Sequence, residues 1–292
     1  MRLEDIYKIQ EQTNILKKPI ISFEVFPPRD NFVEKSEKLI VELTKLMEFS
    51  PKLISVTYGA GGSTKANSVE LVKLIKNSLD VEVMPHLTCL NSDRTFIESY
   101  LAEIESNGIE NVLSLRGDVP MDEATTCGDF QHANELVEIV SLKTKMSVGV
   151  AGYPEAHYEA NNLAEDIDNL KKKVDAGAKV IFTQLFFDNS YFYDYVEKVR
   201  AAGITIPIIP GILPITSCSQ VDKMTSLCKV RVPEELSTQL CKYEKDHDAL
   251  VEIGKTFAIN QSRELMEFGV QGLHFFILNK SQPVSDILRE IL

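Results

Sequence analysis

Five predicted strands end in polar side chains that could do chemistry together. Glu24 lies near the end of the first apolar run, Thr57 ends the second and His86 the third. The fourth run ends in Arg116-Gly117-Asp118, and Gln184 lies near the end of the sixth. A carboxyl group can transfer a proton, and a guanidinium group can hold an anion. A shared active site would need a fold that brings these strand ends together.

Short apolar runs alternate with helical patterns along the chain, which predicts a parallel sheet covered by helices. Strands are predicted at residues 20–26, 53–57, 81–87, 111–115, 147–151, 179–185, 205–210 and 273–278. Eight such units predict an α/β protein whose residues 1–292 form one domain, a (β/α)₈ TIM barrel. Ligands bind at the carboxyl ends of barrel strands, so we expect the five polar strand ends at one mouth.

Two segments depart from the regular repeat. Residues 3–16 carry a loosely helical apolar stripe, which predicts an N-terminal lid helix packed on one end of the barrel. Residues 216–245 predict a mostly helical insertion after the seventh strand.

Charge and cysteine content exclude several classes of function. The 292-residue chain has a formal net charge of -12, which disfavours nucleic acid as a partner. None of its five cysteines forms a C-x-x-C pair, so we expect no metal site and a reducing, cytoplasmic setting. No signal peptide is visible, and no apolar stretch is long enough to span a membrane.

One predicted helix, residues 162–176, carries a polar stripe beside its apolar face. Asp166, Asn169 and Lys173 recur at i, i+3 and i+7, and together could hold a ribose and a phosphate. By spacing alone, a solvated helix face explains this stripe better. The glycine-rich segment 59–62 could let backbone N–H groups approach a phosphate, or could be a flexible loop.

Eight motifs follow one another across nearly the whole chain, and together they resemble the methylenetetrahydrofolate reductase family. They are SFEVFPPR at 22–29, SVTYGAGG at 55–62, PHLTC at 85–89, LRGDVP at 115–120, GYPEAH at 152–157, TQLFFD at 183–188, PGILPI at 210–215 and GLHFFILNK at 272–280. The length resembles the short bacterial form, which has no regulatory domain after the barrel.

The resemblance implies a flavoprotein barrel that holds FAD non-covalently. Hydride would pass from NADH or NADPH through the flavin to 5,10-methylenetetrahydrofolate, giving 5-methyltetrahydrofolate. Glu24 matches the family's general acid, which would protonate N10 as the five-membered ring opens to an iminium. Asp118 matches an acidic residue near the flavin and the pterin, where its charge would stabilise that cation.

The resemblance also implies the residues that contact each ligand. Those matching FAD contacts are Thr57, Tyr58, Ala60, His86, Arg116, Gly117, Asp118, His132, Ala133, Tyr153, His157, Asp166, Asn169 and Lys173. Those matching substrate contacts are Gln184, Gln220, Met224 and Lys280. Three of these depart from the family pattern. His132 replaces a phenol, Met224 a stacking phenylalanine of some relatives, and Lys280 an arginine.

Several alternatives stay open from the sequence. Another flavin barrel, such as a proline dehydrogenase-like enzyme, would share the fold without the folate motifs. The same folate reaction could instead take electrons from a redox partner subunit in a larger complex. A barrel that binds folate without turnover is a third reading, although Glu24 and Asp118 argue against it. We also expect a homo-oligomer.

Overall fold

Eight parallel strands close into a barrel in the computed structural model, which describes residues 1–12, 18–58, 65–117 and 128–292. The strands pair in chain order, and the eighth returns to the first. They are β1 (Ile20–Val25), β2 (Leu53–Val56), β3 (Glu82–Thr88), β4 (Asn111–Leu115), β5 (Ser147–Gly152), β6 (Val180–Leu185), β7 (Ile208–Ile212) and β8 (Gly272–Phe276). The predicted TIM barrel is confirmed.

Helices follow the strands and cover the barrel. Within the described ranges they are α1 (Leu3–Gln12), α2 (Phe32–Leu46), α3 (Lys65–Ser78), α4 (Arg94–Ser106), α5 (Ala133–Lys143), α6 (Leu163–Asp175), α7 (Asn189–Ala201), α8 (Cys218–Cys228), α9 (Glu234–Lys242), α10 (His247–Phe268) and α11 (Gln282–Ile291). A 3₁₀ turn at Met47–Phe49 extends α2. Helices α8 and α9 precede the long helix α10, which confirms the helical insertion after the seventh strand.

Two strand predictions need correction. The seventh strand starts after Pro207 rather than at residue 205. Proline has no N–H to contribute to the sheet, and only its carbonyl pairs there, with the Ile181 N–H at 2.9 Å. The eighth strand ends two residues before Leu278, because Leu278 and Asn279 take left-handed φ angles of 48° and 61°.

Helix α1 plugs the amino-terminal end of the barrel, as the predicted lid helix would. Leu3, Ile6 and Tyr7 are buried in one cluster with inner-face residues of the strands. The Leu3 N–H donates to Asn111 Oδ1 at 2.9 Å, and Asn111 Nδ2 donates to the Met1 carbonyl at 2.9 Å. Residues 13–16 of the predicted helix lie outside the described residues.

Alternation along β1 separates the helix-facing core from the barrel interior. Ile21, Phe23 and Val25 belong to the large apolar core between the sheet and the helices. Ser22 and Glu24 therefore point into the barrel, on the opposite face of the strand. In the described parts of the chain, no helix has the length and hydropathy needed to cross a membrane.

Asn111→Ala should destabilise the fold by about 1–3 kcal/mol, because it leaves the buried Leu3 N–H without its acceptor. Urea unfolding would measure the change. The matched control is Asn107→Ala, which removes an exposed amide that donates to the Glu103 carbonyl at the end of α4. Equal losses in the two variants would contradict a specific role for Asn111 in holding α1.

Candidate active site

Glu24 lies at the mouth of the barrel between two imidazole rings. Its Oε2 atom is 3.5 Å from His86 Nε2 on β3 and 3.9 Å from His274 Nε2 on β8. The three side chains are nearly enclosed, with 11%, 7% and 2% of their surface exposed. A carboxyl group in this position has two ring nitrogens, rather than open water, as its neighbours.

His86 is a neutral imidazole with an unused nitrogen. Burial lowers its pKa to about 4, although the nearby Glu24 carboxyl opposes the shift. Its Nε2 atom is buried and makes no hydrogen bond to any described residue. Such an orphaned polar atom in a cleft marks a place where a ligand can complete the hydrogen bonding.

His274 is a site residue that sequence reasoning missed. Its Nδ1 atom is 2.8 Å from Ser22 Oγ on β1. Its ring meets Phe182 and Phe276 edge to face, with centroids 5.1 and 5.6 Å apart. Alternation within the motif GLHFFILNK puts His274 and Phe276 on one face of the strand, so a signal for an inward histidine was present.

The polar stripe of α6 supplies a partly buried acid and base. The Lys173 ammonium donates to the Ala151 carbonyl at 2.7 Å, and burial lowers its pKa to about 8. Burial also raises the pKa of Asp166 to about 6, with Lys173 opposing the shift. Asn169 is exposed on the same helix, where its Oδ1 accepts from Lys172 at 2.9 Å. The solvated-face reading fits Asn169 but not Asp166 or Lys173.

The loop after β5 carries aromatic rings and an acid that pairs with β4. His157 meets Tyr153 edge to face at 4.7 Å and stacks on Tyr158 at 4.6 Å. Glu159 accepts two hydrogen bonds from the Arg116 guanidinium, at 2.5 and 2.7 Å. Sequence reasoning missed Glu159. Its exposed position in an irregular loop gave no periodic signal.

Thr57 and Tyr58 leave β2 at the same rim. The Thr57 N–H donates to the Val25 carbonyl at 2.9 Å, which extends the pairing of β1 and β2. The Tyr58 ring meets Tyr100 edge to face at 6.0 Å, so its position is fixed from below by α4.

Gly117 and the start of α5 line the β4 side of the mouth. Gly117 has a φ angle of 92°, and a Cβ there would lie 3.1 Å from Thr88 Cβ, so the position favours glycine. His132 is exposed and caps α5, its N–H donating to Glu135 Oε2 at 3.1 Å. Ala133 is the first helical residue.

The residues predicted to contact the substrate are spread over three elements. Gln184 is half-buried on β6. Gln220 on α8 uses its amide locally, because its Oε1 accepts from the Thr216 N–H at 2.7 Å and from the Thr216 hydroxyl at 3.1 Å. Met224 packs partly buried within the insertion, and Lys280 is exposed after β8. The predicted site residues Ala60 and Asp118 lie outside the described residues.

Asn279 ties the exit of β8 to the exit of β1. Its Oδ1 accepts from the Phe26 N–H at 2.9 Å, and its Nδ2 donates to the Phe26 carbonyl at 2.8 Å. The next turn is fixed as well, since the Ser281 N–H and hydroxyl both donate to Glu42 Oε2 on α2.

A known protein family matches this chain over nearly its whole length. The sequence profile described as methylenetetrahydrofolate reductase matches residues 8–291. The chain belongs to the methylenetetrahydrofolate reductase family. Family membership confirms the resemblance. The matched residues include all eight strands of the barrel.

Curated relatives of this family include bacterial and plant proteins. The 5,10-methylenetetrahydrofolate reductase of Pectobacterium carotovorum is 33% identical over 90% of this chain and 86% of that protein. Methylenetetrahydrofolate reductase (NADH) 1 of Arabidopsis thaliana is 37% identical over 92% of this chain and 48% of that protein. The chain thus spans about half the length of the plant reductases that it matches.

One solved structure shares the fold at low sequence identity. It is described as an uncharacterized protein from Clostridium thermocellum that binds two copies of 5-methyl-5,6,7,8-tetrahydrofolic acid. The TM-score is 0.63 at 13% identity, over 99% of this chain and 97% of that one. The likeness supports the barrel assignment.

Hydrogen bonds also join the loop after β5 to the helical insertion. Glu155 accepts the Arg231 backbone N–H at 3.2 and 3.1 Å, and its side chain is only 7% exposed. The Arg231 guanidinium in turn donates to the Tyr191 hydroxyl at 2.9 Å. The turn between α8 and α9 is therefore held to the loop that carries Tyr153.

Asp166→Asn should change how the stability of the cofactor-free protein depends on pH. Because the pKa of Asp166 is raised to about 6, the folded chain keeps a proton that the unfolded chain releases from about pH 4. The contribution of Asp166 to wild-type stability therefore falls between about pH 4 and pH 6, and the loss is complete above that window. Asparagine cannot ionise, so the variant should be more stable than wild type by about 1–3 kcal/mol above pH 6 and similar near pH 4.

Urea unfolding from pH 4 to 8 would measure this difference. Asp168→Asn, at an exposed position of the same helix, is the control and should show no such window. If Asp166→Asn were less stable than wild type at pH 8, the attraction to Lys173 would outweigh the cost of burying the carboxylate.

Proposed function

We propose that this protein is an FAD-dependent reductase that converts 5,10-methylenetetrahydrofolate to 5-methyltetrahydrofolate with hydride from NADH or NADPH. The observation that carries the proposal is the enclosed Glu24 carboxyl at the mouth, beside His86 and His274, in a chain of this family. A nearly enclosed carboxyl group facing an open mouth suits a general acid.

The residues at the mouth fit a ligand with phosphates, hydroxyls and a polar ring. Burial disfavours the charges of Lys173 and Asp166, so a phosphate at Lys173 and a ribose hydroxyl at Asp166 would add favourable contacts to those that the two side chains already make. The unused His86 Nε2 is a further polar contact. The residues proposed to hold FAD are Thr57, Tyr58, Ala60, His86, Arg116, Gly117, Asp118, His132, Ala133, Tyr153, His157, Asp166, Asn169 and Lys173. When bound, FAD would carry hydride from the nicotinamide to the folate.

Glu24 would act on the substrate as a proton donor. It gives its proton to folate N10 while the bond from N10 to the methylene carbon breaks, which leaves an iminium cation ready to accept hydride. His86 is neutral at pH 7, so its 3.5 Å contact with Glu24 is not a salt bridge. Asp118 would stabilise the cation by its charge.

The folate would lie between β6, the insertion and the exit of β8. Gln184 and Gln220 offer amides, Met224 a soft apolar contact, and Lys280 a positive charge for the acidic tail of the substrate. Gln220 also braces the turn after β7, so its substitution would affect the loop as well as the ligand.

The electron donor is the least constrained part of the proposal. The plant relatives are named as NADH enzymes, which supports a nicotinamide donor. Met224 offers no aromatic face for stacking, which favours a redox partner subunit as the second candidate. Family membership removes the support for a proline dehydrogenase-like reading. A homo-oligomer, a cytoplasmic location and a single catalytic unit over residues 1–292 stay predictions.

The test is an absorbance spectrum followed by anaerobic titration and turnover. We expect the purified protein to bind one FAD, to be reduced by NADH or NADPH, and to pass electrons to methylenetetrahydrofolate. Reduction by a low-potential dye but by neither nicotinamide, with folate turnover intact, would indicate the partner-fed alternative. A folded protein with no affinity for FAD would overturn the proposal.

Glu24→Gln should separate the two half-reactions. The amide is nearly isosteric but cannot donate a proton, so we expect reduction of the folate to fall by roughly 10²–10⁴-fold. Reduction of the bound flavin by the nicotinamide should stay near the native rate, measured by stopped flow. Glu34→Gln, at an exposed position on α2, is the control. Equal slowing of both half-reactions would show that Glu24 positions the cofactor instead.

A further inference from the structure

We propose that Thr183 is a positioning residue, whose hydroxyl holds a bulge in β6 and so presents the Gln184 amide nitrogen to the substrate. The inference rests on the proposed contact between Gln184 and the folate. It goes beyond that contact, because it assigns a function to the buried residue that precedes Gln184 in the strand. Thr183 does not touch the substrate. It acts by fixing the place and direction in which the Gln184 side chain leaves the strand.

The pairing of β6 with β7 contains one extra residue on β6. Phe182 pairs with Ile209. The next pair joins Leu185 to Gly211, so β6 advances by three residues while β7 advances by two. Two residues of β6 therefore stand opposite a single residue of β7, which is the arrangement of a β-bulge. Bulges re-aim side chains, and they are over-represented beside active sites.

Apolar residues on both sides of the bulge show that the two faces of β6 exchange there. In a regular strand, residues an even number of positions apart point to the same face. Ile181 lies in the core between the sheet and the helices, and Phe186, five positions later, lies in that core too. Leu185 belongs instead to the cluster that contains Val221 of the insertion. Gln184 lies where the faces exchange, and its side chain is half-buried.

The Thr183 hydroxyl takes the place of a backbone acceptor at the bulge. In a regular parallel ladder, the Gly211 N–H would donate to a backbone carbonyl of the neighbouring strand. It donates instead to Thr183 Oγ1 at 3.0 Å, in a buried contact. The Thr183 carbonyl is also close, since a Cβ atom on Gly211 would lie 2.4 Å from its oxygen. The bulge therefore needs a side-chain acceptor at position 183 and glycine at position 211.

The Gln184 amide is oriented by the backbone at the same irregularity. Its Oε1 accepts from the Leu185 N–H at 2.9 Å. A backbone N–H can only donate, so the amide atom beside it is the oxygen, and the nitrogen is directed elsewhere with its two hydrogens. Within the described ranges, that nitrogen makes no hydrogen bond. Gln184 therefore offers a donor, which selects for a hydrogen-bond acceptor on the ligand.

Thr183→Val tests the inference in the full-length protein supplied with FAD. Valine has nearly the same shape but cannot accept from Gly211, so the bulge loses its buried hydrogen bond and Gln184 its fixed position. We expect the dissociation constant for 5-methyltetrahydrofolate, measured by isothermal titration calorimetry, to rise about tenfold, the size of effect that one hydrogen bond gives. Thr183→Ser keeps the hydroxyl and should restore the wild-type affinity.

Three further measurements separate positioning from a general loss of structure. In Thr183→Val, KM for methylenetetrahydrofolate should rise while kcat changes little, because the lost contact holds the ground state and the transition state equally. The Gly211 amide hydrogen should exchange with solvent faster in Thr183→Val than in wild type or Thr183→Ser. In a Gln184→Ala background, Thr183→Val should weaken binding little further, because the threonine acts through the glutamine.

The matched control is Asn111→Ala, which also leaves a buried backbone N–H without its acceptor, but at the opposite end of the barrel. It should lose stability and keep the wild-type affinity for 5-methyltetrahydrofolate. Unchanged affinity or unchanged Gly211 exchange in Thr183→Val would overturn the inference. So would an equal loss of affinity in Asn111→Ala, or an undiminished further loss in the Gln184→Ala background. A wild-type protein that binds no 5-methyltetrahydrofolate would overturn the proposed function instead.

Discussion

The closed ring of eight parallel strands is the constraint on which the candidate site depends. Each strand must pair on both sides, so all eight carboxyl ends meet at one rim. The pairing register then fixes which side chains share a level. Glu24 stands opposite Ser55 on one side and Phe276 on the other. Residues far apart in the sequence, such as Glu24, His86 and His274, become neighbours in this register, and a shift of one residue would turn the side chains of the shifted strand outward.

The two ends of the barrel differ in polarity: the amino end is filled by apolar side chains, and the carboxyl end carries polar groups. At the amino end, Leu3, Ile6 and Tyr7 fill the interior, and Asn111 satisfies the backbone of α1. At the carboxyl end, the mouth keeps polar groups that the fold alone would not favour. The raised pKa of Asp166 and the lowered pKa of Lys173 both reflect burial without full compensation. Burying these charged groups lowers the stability of the fold, and the dense apolar packing at the closed end offsets this loss. Enzymes commonly combine a stable scaffold with a less stable active site.

Periodicity explains which features could be predicted from the sequence. The place of Glu24 near the end of an apolar run predicted its position at the mouth, and the order of strands and helices predicted the barrel. His274 was missed although the alternation of β8 places it on the inner face, because a single histidine within an apolar strand is usually structural. Glu159 could not be predicted, since its pairing with Arg116 depends on the path of an irregular loop. The start of β7 was misplaced because β-branched residues before Pro207 resemble a strand, whereas the missing proline N–H delays the pairing.

The amide of Asn279 joins two loops into one mechanical unit. Its paired hydrogen bonds with Phe26 span the seam where the last strand meets the first. Glu24 precedes Phe26 by two residues, and Lys280 follows Asn279 directly. Glu24 and Lys280 are thus carried by two segments that these hydrogen bonds join directly, although more than 250 residues separate them along the chain. Glu155 and the backbone of Arg231 form the corresponding link between the β5 loop and the helical insertion.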